Sequence, residues 1–428
     1  MATTIPPNAA GRTTGRAFRL APMNVLVVGS GGREHALAWK LAADASVAEV
    51  HAAPGNPGVA GVATCHPLRA DDGEGLLSLC LARKIDLVVV GPEAPLVDGL
   101  ADVLRRGGVA VFGPSAAAAR IEGSKAFAKD VLRAAGVPTA APLDEPRAPC
   151  VVKADGLAAG KGVFVCRTQA EAEEARRRAA AFGGEVVCEE LLEGEELSVF
   201  ALCDGRRALP LPAARDAKRL LDGDEGPNTG GMGAFSPVPG IPEEEVAELV
   251  ERIHLPVLAE LAERGAPFLG LLYAGLMLTP DGPRVLEFNC RFGDPETQAI
   301  LPRLAGGLAE PLARAAAGDL GGVEVPFAED AAVTVVLAAP GYPDAPEAGQ
   351  PVDGVEEAEA SGALVFHAGT ALRDGRLVSA GGRVLAVTGL GGDPAEAKDR
   401  AYDAIGRIRL AGAQYRRDIA AGGVRVAS

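Results

Sequence analysis

Three features of the chain predict an α/β fold built around a parallel sheet. Short apolar, β-branched runs end in glycine-rich turns, helical patterns separate them, and a second group of short strands flanks a glycine–lysine hairpin. Residues 24–29 (NVLVVG) form the first run, ending at Gly29-Ser30-Gly31-Gly32, and a helical pattern (REHALAWKLAA) follows. A second run, 86–90, ends in Gly91-Pro92-Glu93, and a third, 109–112, ends in Gly113-Pro114-Ser115. Strands alternating with helices indicate a parallel sheet, and such sheets bind ligands beyond the carboxyl ends of their strands. The glycine turns lie there. They are not a dinucleotide fingerprint, because G-x-G-x-x-G from Gly29 needs glycine where Glu34 stands.

Ser124 is expected to cap a helix over 125–135, closed by Gly136-Val137-Pro138. A proline-rich linker, 139–149, leads to strands at 150–156, 162–166, 186–190 and 197–203, which read as a small inserted sheet domain. A glycine-dense loop at 226–237 precedes a helix predicted over 243–264 and long strands at 269–279 and 284–289. Strands follow near 332–339, 364–370 and 383–388, and a last helix, 394–409, starts on Asp393, Pro394 and Glu396.

The 428 residues suit about three domains. With 4% aromatics, the cores must rest on Val, Leu, Ile and Ala. A net charge of −15 argues against a nucleic-acid scaffold, whose affinity comes from neutralising phosphates, but permits small anionic substrates. No apolar run reaches the roughly 18–20 residues of a membrane span. Seven scattered cysteines without C-x-x-C fit neither a disulfide framework nor a zinc site and suit a reducing cytosol, so a cytoplasmic location is expected. Residues 1–22 lack the apolar core of a secretory signal. They read as an extension from a misplaced start codon, in preference to a transit peptide, with the fold beginning at Met23.

Three segments carry chemistry. In K-A-D-G-L-A-A-G-K-G-V (153–163) only three residues separate Gly156 from Gly160-Lys161, position 162 is glycine, and a strand follows, so this is not a P-loop. A glycine hairpin with a lysine between two strands suits a lid over a triphosphate, contacted by backbone N–H groups and Lys161. An ordinary flexible hairpin reads the same way. The run E-E-L-L-E-G-E-E (189–196) offers a strand end for an adenine edge and a carboxylate for ribose hydroxyls, or simply a solvated turn. In L-E-F-N-C-R-F-G-D-P-E-T-Q (286–298), Glu287 and Asn289 share one strand face. Magnesium takes one or two carboxylates plus substrate phosphates, which fits this pair. Arg291 continues that face and suits charge on a transferring phosphoryl group. A half-exposed strand with polar residues outward is the plain alternative.

Taken together, Lys125, the lysine–glycine hairpin, E-x-x-L-x-G-x-E and the Glu/Asn strand occur in the order of the ATP-grasp fold. The chain more closely resembles the glycinamide ribonucleotide synthetases. The resembling segments include GGREHALAWKL (31–41), APGNPG (53–58), EGSKAFAKD (122–130), KADGLAAGKGV (153–163), GPNTGGMGAFSP (226–237), EFNCRFGDPETQ (287–298) and GGRVLAVT (381–388).

The resemblance implies an ATP-grasp fold with an amino-terminal Rossmann-like domain (23–122), a central domain (123–144 and 214–325), an inserted lid (145–213) and a carboxy-terminal α+β domain (326–428). It implies ATP-dependent joining of glycine to 5-phosphoribosylamine through glycyl phosphate, in purine biosynthesis, by a monomer. ATP would be held by Lys125, Lys153, Gly160, Lys161, Glu189, Leu192 and Glu196, and magnesium, or manganese, by Glu287 and Asn289. Gly32, Arg33, Asn56, Glu93, Asp216, Lys218 and Arg291 would meet the substrates, with Arg291 and Lys161 catalytic. Three departures stand out: no room for a helix in 142–150, a trimmed stretch at 179–185, and Ala217 where the family typically has histidine. Another ATP-grasp ligase, or a silent nucleotide-binding protein, are the rival readings.

Overall fold

The computed structural model describes residues 22–157 and 162–421, so the extension, as far as residue 21, lies outside it. Met23–Gly29 sits at the centre of a five-stranded parallel sheet, between Val47–Pro54 and Leu87–Val90, with Thr64–Cys65 and Ala110–Phe112 at the edges. The chain leaves the central strand for one neighbour and returns to the other, which opens a crevice at their carboxyl ends. Gly29 lies in that crevice at φ +127°, where a Cβ would stand 2.6 Å from Glu34 Cγ. Only glycine fits both demands.

An eight-stranded sheet forms the body of the molecule. Its order is Gly282–Asn289, Leu269–Thr279, Glu195–Asp204, Ala208–Asp216, Gly233–Ser236, Ala331–Ala338, Arg383–Gly391, Leu364–His367. Every neighbouring pair is antiparallel. The two sheets share their cores: Leu26, Val88 and Leu104 pack in one cluster with Val199, Leu272 and Phe288. Where they meet, a Cβ on Gly270 would lie 3.2 Å from Gly113 Cα. That close approach seats the amino-terminal glycine turns against the central strands.

The inserted sheet is smaller than expected. It contains Val163–Cys166, Cys150–Ala154 and Val186–Glu190, covered by the helix Gln169–Ala180. Of residues 195–213, expected in the lid, Glu195–Asp204 pairs instead with Leu269–Thr279 and the strand from Ala208 pairs with Glu195–Asp204, so both belong to the large sheet. Their nearly continuous burial is the reason: Leu197–Asp204 is covered on both faces, which a three-stranded lid cannot provide. The linker before the lid is helix-free, and its Thr139 and Pro142 make isolated bridges to Val285 and Glu189. At the trimmed stretch the helix ends at Ala180, and Gly183 and Gly184 turn the chain with positive φ.

Ser124 caps the helix Lys125–Ala134, its hydroxyl accepting the Phe127 N–H at 3.1 Å. The helix predicted over 243–264 contains one π turn, in which the Leu255 N–H bonds to Val250 O. Pro256 lacks the N–H that would bond Arg252 O, so the ladder widens there. The last helix stops at Ile405, before Gly406, and Arg409–Leu410 pairs with Val352–Asp353. All seven cysteines are free, and Cys290 is packed in the core. Among the described residues, no helix is long and apolar enough to cross a membrane.

Candidate active site

Glu287 and Asn289 end the edge strand Gly282–Asn289, opposite Gly275 and Tyr273. A Cβ on Gly275 would lie 3.3 Å from Glu287 Cγ, so the glycine leaves the carboxylate room. Lys218, just beyond Ala208–Asp216, donates to Glu196 Oε2 at 2.7 Å and stands 3.9 Å from Glu287 Oε1. Burial pushes the Glu287 carboxyl up, but Lys218, Lys153, Lys125 and Arg291 outweigh it and hold it below its ordinary value. Burial disfavours the Lys218 ammonium, yet Asp216, Glu196 and Glu287 keep it charged well beyond the usual range. Asp216 is pushed up to about 7 by burial, against Lys218, with Glu296, Glu196 and Glu287 adding to the rise. The two shifts pull opposite ways on one pair; the protonated Lys218 is the firmer, because three carboxylates surround it. Beneath the cluster, Tyr273 Oη and Ser198 Oγ are 2.9 Å apart, and Ser198 Oγ donates to Glu296 Oε1 at 3.5 Å.

A second cluster forms where the lid meets the central sheet. Glu189 is buried, and its Oε2 accepts from Lys153 Nζ and Lys129 Nζ, both at 3.1 Å. Its Oε1 has no partner among the described residues. Lys153 also donates to Leu286 O at 3.0 Å, and Lys129 to Thr139 Oγ1 at 2.6 Å and Ala140 O at 2.9 Å. Lys125 Nζ donates to Gly156 O at 2.8 Å. Leu192 is half-buried in the link between strands, and a Cβ on Gly194 would fall 2.1 Å from Leu278 O, which fixes glycine in E-x-x-L-x-G-x-E. Gly160 and Lys161 lie outside the described residues.

The third group joins the amino-terminal turns to the central domain. Arg291 Nε donates to Glu93 Oε2 at 3.1 Å, Nη1 to Phe292 O at 3.2 Å, and Nη2 lies 3.0 Å from Glu122 Oε1. Burial raises the Glu93 carboxyl, but Arg291 and Arg33 outweigh it and hold it low. Arg33 is buried, donating to Glu34 Oε1 at 2.5 Å and Phe292 O at 3.2 Å. A Cβ on Gly32 would sit 2.7 Å from Gln298 Nε2, whose own Oε1 is buried without a partner among the described residues. Asn56 is fully engaged: Nδ2 donates to Ser30 O and His367 O, each at 2.8 Å, and Oδ1 accepts the Val59 N–H at 2.9 Å. Its side chain ties backbone segments together.

Four residues without an expected role stand in these clusters: Lys129, Glu122, Glu296 and Arg383. Arg383 donates to the carbonyls of Gly230 and Asp294 and pairs with Asp294 Oδ2 at 2.9 Å, tying two glycine-rich loops. Lys129 was within reach of sequence reasoning, four residues after Lys125 on one helix face. Ala217, where a histidine was expected, packs its methyl beside the carboxy-terminal core.

The glycine-turn crevice, the inserted three-stranded sheet and the edge strand that sets Glu287 near Lys218 define the class: an ATP-grasp carboxylate–amine ligase. Residues 23–122, 123–297 and 332–422 match the N domain, the ATP-grasp (A) domain and the C domain described for phosphoribosylglycinamide synthetase. The chain belongs to that family. It is 52% identical over 415 residues to the phosphoribosylamine–glycine ligase of Streptomyces coelicolor, covering 93% of this chain and 99% of that protein. The same enzyme from Mesorhizobium japonicum is 50% identical, with 93% and 97% covered. Among solved structures, the phosphoribosylamine–glycine ligase of Thermotoga maritima superposes with a TM-score of 0.80 at 38% identity, over 92% of this chain and 100% of that one. The N5-carboxyaminoimidazole ribonucleotide synthetase of the same organism shares the fold, with a TM-score of 0.60 at 19% identity, over 91% and 99% of the two chains.

Proposed function

We propose that this chain joins glycine to 5-phosphoribosylamine in purine biosynthesis, through a glycyl phosphate made at the expense of ATP. The convergence of Glu287, Asn289, Lys218 and Arg291 at one end of the edge strand carries this reading. A glycine carboxylate oxygen attacks the γ-phosphorus in line, the bond to the β-phosphate oxygen breaks, and ADP leaves. The amine nitrogen then attacks the acyl carbon, the carbon–oxygen bond to phosphate breaks, and the amide forms with loss of an amine proton. Activation is needed because a carboxylate has no adequate leaving group.

The buried Glu189 Oε1, without a partner among the described residues, fits ATP as an acceptor for a donor such as the adenine amino group. Lys125 and Lys153 face the nucleotide, Leu192 lines the adenine, and Glu196 accepts the ribose hydroxyls. A carboxylate and an amide oxygen two residues apart at the end of one strand suit a cation completed by phosphates. Glu287 and Asn289 would hold magnesium, or manganese, and the ion would supply Lewis-acid stabilisation of phosphoryl charge when bound. Arg291 orients glycine and steadies the transferring group, while Asp216 and Lys218 line the junction. Gly32, Arg33 and Glu93 line the phosphoribosylamine side, and Asn56 shapes that loop. We infer a monomer, and the seven free thiols suit the cytoplasm.

Running the complete reaction with ¹⁸O-labelled glycine carboxylate tests the sequence of steps. One glycine-derived label is expected in each phosphate released. Unlabelled phosphate alongside full amide formation rules out the acyl phosphate, and ADP release indifferent to glycine rules out the ligase reading itself.

A further inference from the structure

Glu122 ends the helix Ala116–Gly123, three residues before Lys125, and its side chain is 7% exposed. It grips the edge strand at two points. One carboxylate oxygen, Oε2, accepts the Cys290 N–H at 2.7 Å, and the other, Oε1, lies 3.0 Å from Arg291 Nη2. Burial pushes this carboxyl up, with Arg291 opposing and Glu93 adding to the rise. With Glu93 on Nε and the Phe292 carbonyl on Nη1, the guanidinium is held at three points.

Of the five N–H donors of a guanidinium, hydrogen bonds take one on Nε and one on Nη1, and Nη2 faces the Glu122 carboxylate as an ion pair at 3.0 Å. The remaining donors lie on the two Nη nitrogens. A planar fork with its stem and one flank fixed presents those donors in a set direction, the geometry that a carboxylate or phosphoryl group accepts. Glu93 arrives from the amino-terminal sheet, whereas Glu122 belongs to the segment that leads into the ATP-binding helix. The carboxylate that aims Arg291 is therefore also fixed to the chain that carries Lys125.

We propose that Glu122 is a positioning residue for the ligation: it sets the plane of Arg291 and so governs how glycine is held against the γ-phosphoryl group. This rests on the reading of Arg291 given above. Glu122 itself touches no substrate.

The test compares Glu122→Gln, Glu122→Asp, Arg291→Lys and the double variant Glu122→Gln/Arg291→Lys in the full chain, with steady-state kinetics and thermal melts. Glu122→Gln keeps an acceptor for the Cys290 N–H and loses the charge on Arg291. A charged hydrogen bond is worth enough for kcat/KM for glycine to fall about tenfold to a hundredfold. KM for ATP is expected to stay within about twofold, a factor worth well under 1 kcal/mol. Glu122→Asp should recover part of that loss. In the Arg291→Lys background, Glu122→Gln should add little. Equal damage to ATP and glycine kinetics, together with a lowered melting temperature, would mark Glu122 as merely structural and overturn the proposal. So would normal glycine kinetics in Glu122→Gln while Arg291→Lys is impaired. Normal glycine kinetics in Arg291→Lys would remove the role of Arg291, and the proposal with it. If Glu122→Gln does not fold, Glu122→Asp decides: a selective loss for glycine supports the proposal, and an unselective one or none overturns it.

Discussion

The Asp155 carboxylate, one residue beyond the first strand of the lid, accepts the backbone N–H of Lys125 at 2.5 Å. The same carboxylate accepts from Ala126 N–H at 3.3 Å and from the Ser124 hydroxyl at 3.2 Å. The lid is thus seated on the positive end of the helix whose first residue is Lys125, the lysine proposed above to face ATP. Removing it with Asp155→Ala takes away a capping group, which costs about 1 kcal/mol. KM for ATP should rise several-fold with it, since the lid loses its seat. Urea melts and ATP titrations check both, and an unchanged KM would separate the lid contact from nucleotide binding.

Glu287→Gln should suppress turnover far more than it weakens ATP binding. Lewis-acid stabilisation is worth several kcal/mol, and about 1.4 kcal/mol is tenfold in rate, so a loss of at least roughly a hundredfold is expected. The contacts around Glu189 stay intact. Near-normal turnover at saturating magnesium would take Glu287 off the ligand set.

Glu189→Gln leaves two lysines facing a neutral amide, in a site where Lys153 and Lys129 are 7% and 16% exposed. Breaking a buried pair in this way costs about 3–5 kcal/mol, part of which the lysines recover by shedding protons. Both stability and ATP affinity should fall. Retention of full ATP affinity in a destabilised protein would mean that Glu189 only neutralises the lysines.

Three buried histidines predict a stability profile in mild acid. Burial holds His35 down to about 3, helped by His367, and holds His254 and His367 each down to about 4. His35 Nδ1 accepts the His367 backbone N–H at 2.8 Å, which a protonated ring cannot do. The unfolded chain takes up protons near pH 6.5 while the folded one does not. The stabilisation from neutral burial is therefore fully present above about pH 6.5 and is lost as pH falls toward 4, by about 1.4 kcal/mol per pH unit for each ring. Denaturant melts from pH 7.5 to 4.5 should show this slope, and His254→Gln should reduce it by about a third. A flat profile in the parent protein would contradict neutral burial.

Much of the site was legible because its signals are local. A two-residue period placed Glu287 and Asn289 on one face, the serine before an amphipathic run marked the cap at Ser124, and glycine turns marked the crevice. The lid boundary was not legible, since Glu195–Asp204 reads as a strand whichever sheet receives it. Asn56 was expected at the substrate from its loop, but its reach to carbonyls as distant as that of His367 could not be read from the sequence.

By itself the amino-acid sequence determined the element types, the family and the set of groups available for phosphoryl transfer, because each depends on residues near one another along the chain. The tertiary structure decided which of those groups meet. Glu122 reaches the backbone N–H of Cys290 across 168 positions, and Arg383 reaches Asp294 across 89. Desolvation and charge pairing act through space, so the lowered Glu287 carboxyl, the ties on Arg291 and the Glu189 oxygen left without a partner among the described residues exist only once the sheets have packed.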